Sequence, residues 1–162
     1  MATDILLKID GIKGESVIEG HKDEIDVLAW SWGMTQSGTT HTSTGGGSGK
    51  VSVSDITLTK YVDIATHELI KACCNGRHIK EATLVVRKAG GSSPLNYLTL
   101  KMEEVLVSSY NTGGSNDDLD RVQETLTFNF ARFNIEYQQQ NEKGGKKGSA
   151  NAGWDIAKNK AI

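Results

Sequence analysis

EIDVLAWSWGMTQSG, the stretch from Glu24 to Gly38, decides the fold because it predicts a β-strand with no ordinary solvent-facing side. Side chains alternate across a strand, so every second residue shares a face. One face carries bulky residues that we expect in the core, namely Leu28, Trp30, Trp32 and Met34. The other face carries small, uncharged residues, namely Val27, Ala29, Ser31 and Gly33. A half-exposed strand normally has Lys, Glu or Thr there, so this face is expected to lie flat against another surface or to slide past it.

Long strands with changes in their alternation predict a strongly curled sheet. The apolar positions switch parity at Ser54–Asp55, between Met102 and Val105, and between Phe130 and Phe133. Such a switch indicates a bulge or a bend, and bulges are how strands turn the corners of a barrel. We therefore predict a mainly β fold in one domain over residues 1–162, an antiparallel β-barrel of two curled sheets.

One segment has helical periodicity. Asp63–Asn75 predicts a short amphipathic α-helix lying on the barrel, with Asp63 as its N-terminal cap and Asn75–Gly76 as its stop. The expected apolar stripe consists of Ala65, Leu69, Ala72 and Cys73.

Two further segments are predicted to be irregular. The first contains five glycines and no apolar side chain, so it is expected to project from the barrel as a long extended loop. Its residues are Gly38, Thr39, Thr40, His41, Thr42, Ser43, Thr44, Gly45, Gly46, Gly47, Ser48, Gly49 and Lys50. The second is the polar, Lys-rich Gln138–Ala152, after which Gly153–Ile156 is expected to dock back as a last strand or onto a neighbouring subunit.

Composition excludes several classes of protein. The formal net charge of -2 removes the case for nucleic acid or an anionic membrane as the main partner. No apolar run approaches the roughly 18 residues of a membrane helix, and the N-terminus lacks the layout of a signal peptide. Cys73 and Cys74 are adjacent, so they cannot form a spaced disulfide framework. We expect folding in the cytoplasm and, if the protein is exported, a route that needs no signal peptide.

The sequence predicts no cofactor and no metal. GGGSGK at Gly45–Lys50 resembles a phosphate-binding loop, but Thr44 and Val51 occupy positions where that motif needs Gly and Ser or Thr, and a strand follows instead of a helix. The four histidines, His21, His41, His67 and His78, lack metal-ligand spacing with one another or with the cysteines. The cysteines are expected to be buried, inert thiols.

Catalytic residues are not predicted either. The chain has no G-x-S-x-G nucleophile turn, and Glu103 and Glu104 are expected to point to opposite faces of a strand, where they could not act on one substrate. Trp30 and Trp32 could form a stacking platform for a ligand, although core packing is the simpler interpretation.

Several segments in order resemble one known family. EIDVLAWSWGMTQSG is followed by KVSVSDITLTKYVD, LVVRKAGG, YLTLKMEEVLVSSY and TLTFNFA, and the resemblance runs from DILLKIDGIKGES at Asp4–Ser16 to GWDI at Gly153–Ile156. With these segments in this order, the chain is similar to the haemolysin-coregulated protein family, Hcp, which forms the inner tube of bacterial type VI secretion systems.

The resemblance implies a structural function. Hcp-family proteins form hexameric rings that stack into a tube inside a contractile sheath, behind a spike, and they can hold effector proteins in the lumen. It also implies assembly in the bacterial cytoplasm and export through the secretion system. The small face Val27, Ala29, Ser31 and Gly33 would then line the lumen, and Gly38–Lys50 would contact the adjacent ring. Two alternatives stay open, a ligand-binding β-barrel and an enzyme with an unrecognised pocket.

Overall fold

The chain folds into antiparallel strands that enclose an apolar core. The computed structural model describes residues 3–37, 49–88, 94–117, 121–141 and 146–162. The strands in that part are β1 Thr3–Ile9, β2 Ile25–Asp26, β3 Ala29–Ser31, β4 Met34–Thr35, β5 Ser52–Val53, β6 Ile56–Tyr61, β7 Ile79–Lys88, β8 Leu95–Gly113, β9 Gln123–Gln140, β10 Lys146–Asp155 and β11 Lys160–Ala161. The helix α1 spans Thr66–Asn75, between β6 and β7.

The hydrogen-bonded order of the strands returns to its starting point. β1 pairs with β7, β7 with β8, β8 with β9 and β9 with β6. The circuit is closed by the stretch that decides the fold, because β2 pairs with β1 whereas β3 pairs with β6. The Val27 N–H donates to the Ile5 carbonyl at 3.0 Å, and the next N–H, of Leu28, donates to the Thr59 carbonyl at 2.8 Å. The predicted mainly β, antiparallel fold with one short helix is confirmed, although β2 and β3 do not pair with each other, because the predicted key strand is divided into β2, β3 and β4.

The predicted parity changes mark the places where strands bend or end. Val105 of β8 pairs with Phe130 of β9, and the neighbouring Glu104 has a positive φ of 56°. At this level β9 changes its second partner from β6 to β10. The third change, at Ser54–Asp55, separates β5 from β6. The three changes of parity are therefore confirmed by burial, and two of them lie side by side on paired strands, whereas the register shift between β8 and β9 falls later, between Val107 and Ser109.

The core fills the barrel and is covered by α1. Its fully buried members include Ile25, Ile56, Leu58, Leu69, Leu84, Leu100, Met102, Leu126 and Phe128. Ala65, Leu69 and Ala72 are completely buried, as the predicted stripe requires. The prediction of buried thiols is wrong, since Cys73 at the edge of the stripe is half-buried and Cys74, the next residue round the helix, is exposed.

The prediction that Asp63 is the N-terminal cap is wrong, because Ala65 holds that position and no side chain caps the helix there. The helix starts at Thr66, three residues after Asp63, whose carboxylate accepts a hydrogen bond from the Ala65 N–H at 2.9 Å and so holds the turn before the helix. It ends at Asn75, as predicted, and Gly76 caps it with a φ of 65°, in the left-handed region that glycine adopts without strain.

A buried ion cluster joins the helix to two strands. The side chain of Lys60 on β6 is fully buried, with its Nζ 2.9 Å from Oδ1 of Asp63 and 3.2 Å from Oε1 of Glu124 on β9. The Lys60 ammonium also donates to the Tyr61 carbonyl, and the Thr66 hydroxyl donates to Glu124. A buried charge is tolerated only when it is paired and hydrogen-bonded, which this cluster achieves.

The polar C-terminal segment is a strand rather than irregular structure. β9 continues to Gln140, and β10 pairs back along it from Lys146 to Asp155. The prediction of an irregular Gln138–Ala152 is wrong for the described residues, because backbone pairing with β9 fixes a strand that has no apolar pattern. The docking of Gly153–Ile156 is confirmed within this chain, where Trp154 pairs with Phe133.

Candidate functional site

The four small residues of the opening stretch do not share one face. Val27 is only 7 % exposed and belongs to the core, whereas Ala29, Ser31 and Gly33 are exposed. Alternation resets between Val27 and Ala29, because the chain turns from its pairing with β1 to its pairing with β6. The expectation that Val27 lies on the open surface is therefore wrong.

The bulky residues divide in a similar way. Trp30 and Trp32 are half-buried and pack against the core, as predicted, but Leu28 and Met34 are 43 % and 46 % exposed. The Trp32 ring meets Phe133 edge-on at 4.8 Å between centroids, and its Nε1–H donates to the Ser54 carbonyl at 3.0 Å. An indole held in this way fills the core and offers no free platform for a ligand.

Strand register extends the exposed surface of Ala29 and Ser31 over four strands. Paired residues of antiparallel strands point to the same side of a sheet. Two rows of such pairs form what we call the small-residue face, made of Ala29, Ser31, Thr57, Thr59, Thr125, Thr127, Ser109 and Asn111 on β3, β6, β9 and β8. Each of these residues is uncharged, and each is exposed or half-exposed.

Hydroxyl groups on this face bond to one another across the strands. Ser109 Oγ lies 2.6 Å from Thr127 Oγ1, and Ser108 Oγ lies 2.7 Å from the same atom. The carboxylate of Asp55 at the margin accepts hydrogen bonds from Ser108 and from the Asn129 amide. The face therefore presents mainly methyl and hydroxyl groups. The Asp55 carboxylate at its margin already accepts two hydrogen bonds.

Sequence reasoning missed five hydroxyl-bearing members of this face, on β6, β9 and β8. A signal was present, since Thr alternates with Leu in ITLTKY and in ETLTFNF. Their common side, however, depends on which strands pair, and these strands are far apart in the chain.

Both lateral margins of the small-residue face are strand edges. β3 pairs with β6 on one side only, and the β8 segment 106–113 pairs with β9 only. Within the described ranges, no strand covers the outer edge of either segment. Each edge therefore leaves backbone N–H and C=O groups available for another chain.

A short ribbon joins the described residues on either side of the glycine-rich segment. It consists of β4 and β5, in which Met34 pairs with Val53. The ribbon is held by Ser54, whose Oγ donates to the Gly33 carbonyl at 2.7 Å and whose N–H donates to the same carbonyl at 3.0 Å. Of the predicted loop, only Gly49 and Lys50 lie within the described residues, and Gly38–Ser48 lies outside them.

Glu103 and Glu104 contact one arginine. Arg132 Nε lies 2.9 Å from Glu103 Oε2, and Arg132 Nη2 lies 3.8 Å from Glu104 Oε1. The prediction that the two glutamates face opposite sides is wrong, because the positive φ of Glu104 bends the strand between them. The hydrogen bond to Glu103 raises the pKa of Arg132. The three side chains form an ion-pair cluster.

A second charged group lies near the β2 end of the barrel. Asp26 lines a pocket of about 350 Å³ together with Asp63 and Arg121, whose guanidinium lies 3.9 Å from the centre of the Tyr61 ring. Partial burial raises the pKa of Asp26, the negative charges of Asp63 and Asp4 raise it further, and Arg121 opposes them.

The described residues hold little that could bind a cofactor. No group of three His, Cys, Asp or Glu side chains is arranged for a metal in that part of the chain. A pocket of about 470 Å³ beside the β4–β5 ribbon contains His78 and Glu104, without a hydrogen bond between them. None of the helical structure described is long and apolar enough to cross a membrane.

Comparison with known proteins places the chain in a family. Residues 6–137 match the family described as type VI secretion system effector, Hcp. Over 160 residues the chain is 49 % identical to protein hcp1 of Pseudomonas aeruginosa, and the match covers 98 % of both chains.

Solved structures agree with this assignment and with the predicted resemblance. The chain superposes on Hcp1 from Salmonella typhimurium with a TM-score of 0.82 and 40 % identity over 100 % of both chains. It superposes on a structure described as a type six secretion system protein with a TM-score of 0.92 and 31 % identity, over 99 % of this chain and 100 % of the other. The chain therefore belongs to the Hcp family, and it is a structural tube subunit of a type VI secretion system.

Proposed function

We propose that this tube subunit acts as a hexameric ring whose lumen is lined by the small-residue face. The observation that carries the proposal is the run of uncharged, mostly small side chains across four paired strands. A channel that must release protein cargo benefits from such a surface, because fixed charges would retain cargo of opposite sign. Ala29 and Ser31 belong to this face, and the exposed Gly33, two residues further along the chain, is proposed to line the lumen beside them. Val27 is buried and is not part of the proposed lining.

Ring closure follows from the two strand edges. A heterologous contact joins different patches of neighbouring copies, and it closes into a ring when the rotation between copies returns to the start. The outer edge of β8 in one copy and the outer edge of β3 in the next copy are two such patches. Both border the small-residue face, so joining them continues that face around the channel.

Stacking of rings is assigned to the loop Gly38–Lys50. Its composition favours contacts outside the core, since it contains no apolar side chain. The β4–β5 ribbon would carry the loop away from the barrel and towards the adjacent ring. The loop would contribute to assembly while contributing little to the stability of the subunit.

The remaining partners follow from membership of the secretion system. We propose contacts with the sheath and the spike proteins, carriage of effector proteins in the lumen, assembly in the bacterial cytoplasm, and export without a signal peptide. Nucleic acid and membrane insertion are not part of the proposal, and neither is catalysis. The alternatives of an enzyme or a ligand-binding barrel lack support, since the Trp32 ring that a ligand would use packs on Phe133.

The proposal is tested by mass and by cross-linking. Native mass spectrometry of the purified protein at micromolar concentration is expected to give a hexamer, and negative-stain images are expected to show rings. In a background where Cys73 and Cys74 are serine, Ser31→Cys with Asn111→Cys and a short bifunctional reagent should give a ladder of up to six subunits.

The Ser31→Cys variant alone, treated in the same way, is the matched control and should give no ladder. A strictly monomeric protein would contradict the ring. A hexamer that cross-links equally well through the single cysteine would contradict the pairing of the β8 and β3 edges.

A further inference from the structure

Arg87 is a buried arginine, two of whose nitrogens find no partner in the described part of the chain. It lies near the end of β7, opposite Asn96 of β8, at a register shift between Val86 and Arg87. The extra residue of this bulge is Tyr97 on β8, so β7 keeps its alternation and Arg87 faces the same side as Val85. Both side chains are buried, with 7 % of each exposed. The Nε and Nη1 atoms of Arg87 are buried, and no described residue supplies them with a hydrogen-bond acceptor.

Burying these donors without an acceptor opposes folding. Every guanidinium N–H that leaves water without finding an oxygen loses a hydrogen bond, and the positive charge also loses its hydration. The nearest carboxylates by position are Asp4, the register partner of Arg87 on β1, and Glu136, which lines the same pocket. Among the described residues neither makes an ion pair with Arg87.

The pocket beside Arg87 is rich in hydrogen-bond donors. It has a volume of about 430 Å³, and apart from Arg87, Pro94 and Leu95 it is lined by His21, Asn96, Thr99, Glu136 and Gln138. His21 is held in place by Glu24, whose two carboxylate oxygens each lie 3.0 Å from its Nδ1. Glu136 is the one carboxylate in this lining.

We propose that this pocket binds an oxyanion group, a phosphate or a carboxylate, through the guanidinium of Arg87. Arginine donors match the oxygens of both groups, and such charge-assisted hydrogen bonds are the strongest available to a side chain. The side chain rotates towards the opening to reach the ligand, which its several χ angles permit. The Asn96 and Thr99 side chains supply further donors, whereas the Gln138 amide already donates to the Gly148 carbonyl.

The site is separate from the surface assigned to the lumen. Gln138 in the pocket and Thr127 on the small-residue face are 11 residues apart on β9, roughly 35 Å along the strand at about 3.3 Å per residue. Binding of an oxyanion is therefore a second property of the protein, and it does not depend on which residues line the channel.

The probe is inorganic phosphate, titrated into the purified assembly by isothermal calorimetry in a phosphate-free buffer. We expect one phosphate per subunit, and a loss of affinity of about tenfold or more in Arg87→Gln, because a charged hydrogen-bond donor is removed. Arg77→Gln changes an exposed arginine elsewhere and is expected to bind as the wild type does. Glu136→Gln is expected to bind phosphate more tightly, since a repelling charge leaves the pocket.

The source of the natural oxyanion is distinguished by sedimentation of the wild type and Arg87→Gln at matched concentrations. If a neighbouring copy supplies a carboxylate, phosphate will bind only to dissociated subunits, will weaken assembly, and Arg87→Gln will assemble less well than Arg77→Gln. If the ligand is free in solution, assembly will be the same in both variants and phosphate will bind to the rings.

Two results would overturn the proposal. One is the absence of phosphate binding to rings and to subunits, together with equal assembly of Arg87→Gln and Arg77→Gln. The other is phosphate binding that neither Arg87→Gln nor Glu136→Gln alters. Should Arg87→Gln fail to fold, Glu136→Gln, which removes only a charge, still decides between tighter and unchanged binding.

Discussion

Truncating Trp32 should lower the stability of the subunit, whereas introducing a charge at the neighbouring Ser31 should change the properties of the channel. Trp32 points into the barrel, where it packs on Phe130 and Phe133. Ser31 is exposed on the small-residue face. Trp32→Ala is therefore expected to destabilise the subunit, whereas Ser31→Arg is expected to leave the subunit and the ring intact.

The size of the first effect follows from the burial of the indole. Deleting a fully buried aromatic side chain costs about 3 to 5 kcal/mol. Because Trp32 is only half-buried, the free energy of transferring its side chain from water to the core is smaller than for a fully buried residue. The change also removes two aromatic contacts of about 0.5 to 1.5 kcal/mol each and one hydrogen bond to Ser54. We expect a loss of about 2 to 4 kcal/mol, or roughly 5 to 15 °C in Tm for a chain of this size.

Ser31→Arg places its charge in water and so avoids a desolvation penalty. An exposed substitution of this kind changes stability by about 0.5 kcal/mol or less. In a ring, however, each subunit contributes one arginine at the same level of the channel. We expect weaker retention of cargo proteins with positively charged surfaces, and normal retention of neutral ones.

The assay is urea denaturation at one fixed protein concentration, followed by native mass spectrometry of each variant. Fixing the concentration matters because assembly itself stabilises the folded subunit. Trp32→Phe retains an aromatic ring and is expected to fall between the wild type and Trp32→Ala. If Ser31→Arg unfolds the subunit or prevents ring formation while Trp32→Ala is tolerated, the assignment of the two faces is reversed.

Three other changes test separate parts of the fold. In Gly14→Ala the new Cβ would lie 2.5 Å from the Glu24 carbonyl oxygen, so backbone must move, and chemical denaturation should show a loss of about 1 to 3 kcal/mol. Lys60→Met leaves Glu124 buried and unpaired and should cost about 3 to 5 kcal/mol, most of which Lys60→Met with Glu124→Leu should recover. The pKa of Asp26 is raised in the folded state, so the folded protein binds the carboxyl proton more tightly than the unfolded chain does. The free energy of unfolding should therefore fall as the pH rises from the ordinary Asp pKa through the raised one. Asp26→Asn should raise Tm at pH 7 and leave it unchanged at a pH below the ordinary Asp pKa. An Asn variant with equal or lower Tm at pH 7 would contradict the last expectation.

The sequence was sufficient for features that depend on neighbours in the chain. The apolar stripe of Ala65, Leu69 and Ala72 predicted the buried side of α1. The parity changes correctly marked the bends, because a strand that bends must change which of its residues face inwards. Docking of Trp154 as part of a last strand was also predictable, since an apolar residue after a polar segment needs a surface to cover it.

Features that depend on distant pairing were not predictable in this way. Val27 appeared to belong with Ala29 and Ser31, because nothing local shows that the chain leaves β1 for β6 between them. The Thr residues of β6 and β9 looked like ordinary strand surface, and only their register reveals one continuous face. β10 was missed for the related reason that its backbone, rather than its side chains, holds it on β9.

The composition of the strand edges supports the proposed ring more directly than the barrel architecture does. Proteins usually protect an open edge with charged residues, especially Lys, or with Pro. The outer edge of β10 and β11 is protected in this way, with Lys147 and Lys160 in its strands. The edges beside the small-residue face, β3 and the β8 segment 106–113, contain no Lys, Arg, Asp, Glu or Pro. An unprotected edge invites pairing with any exposed strand, so a chain that keeps two of them on one face requires a partner that covers both, and a neighbouring copy in a closed ring provides one.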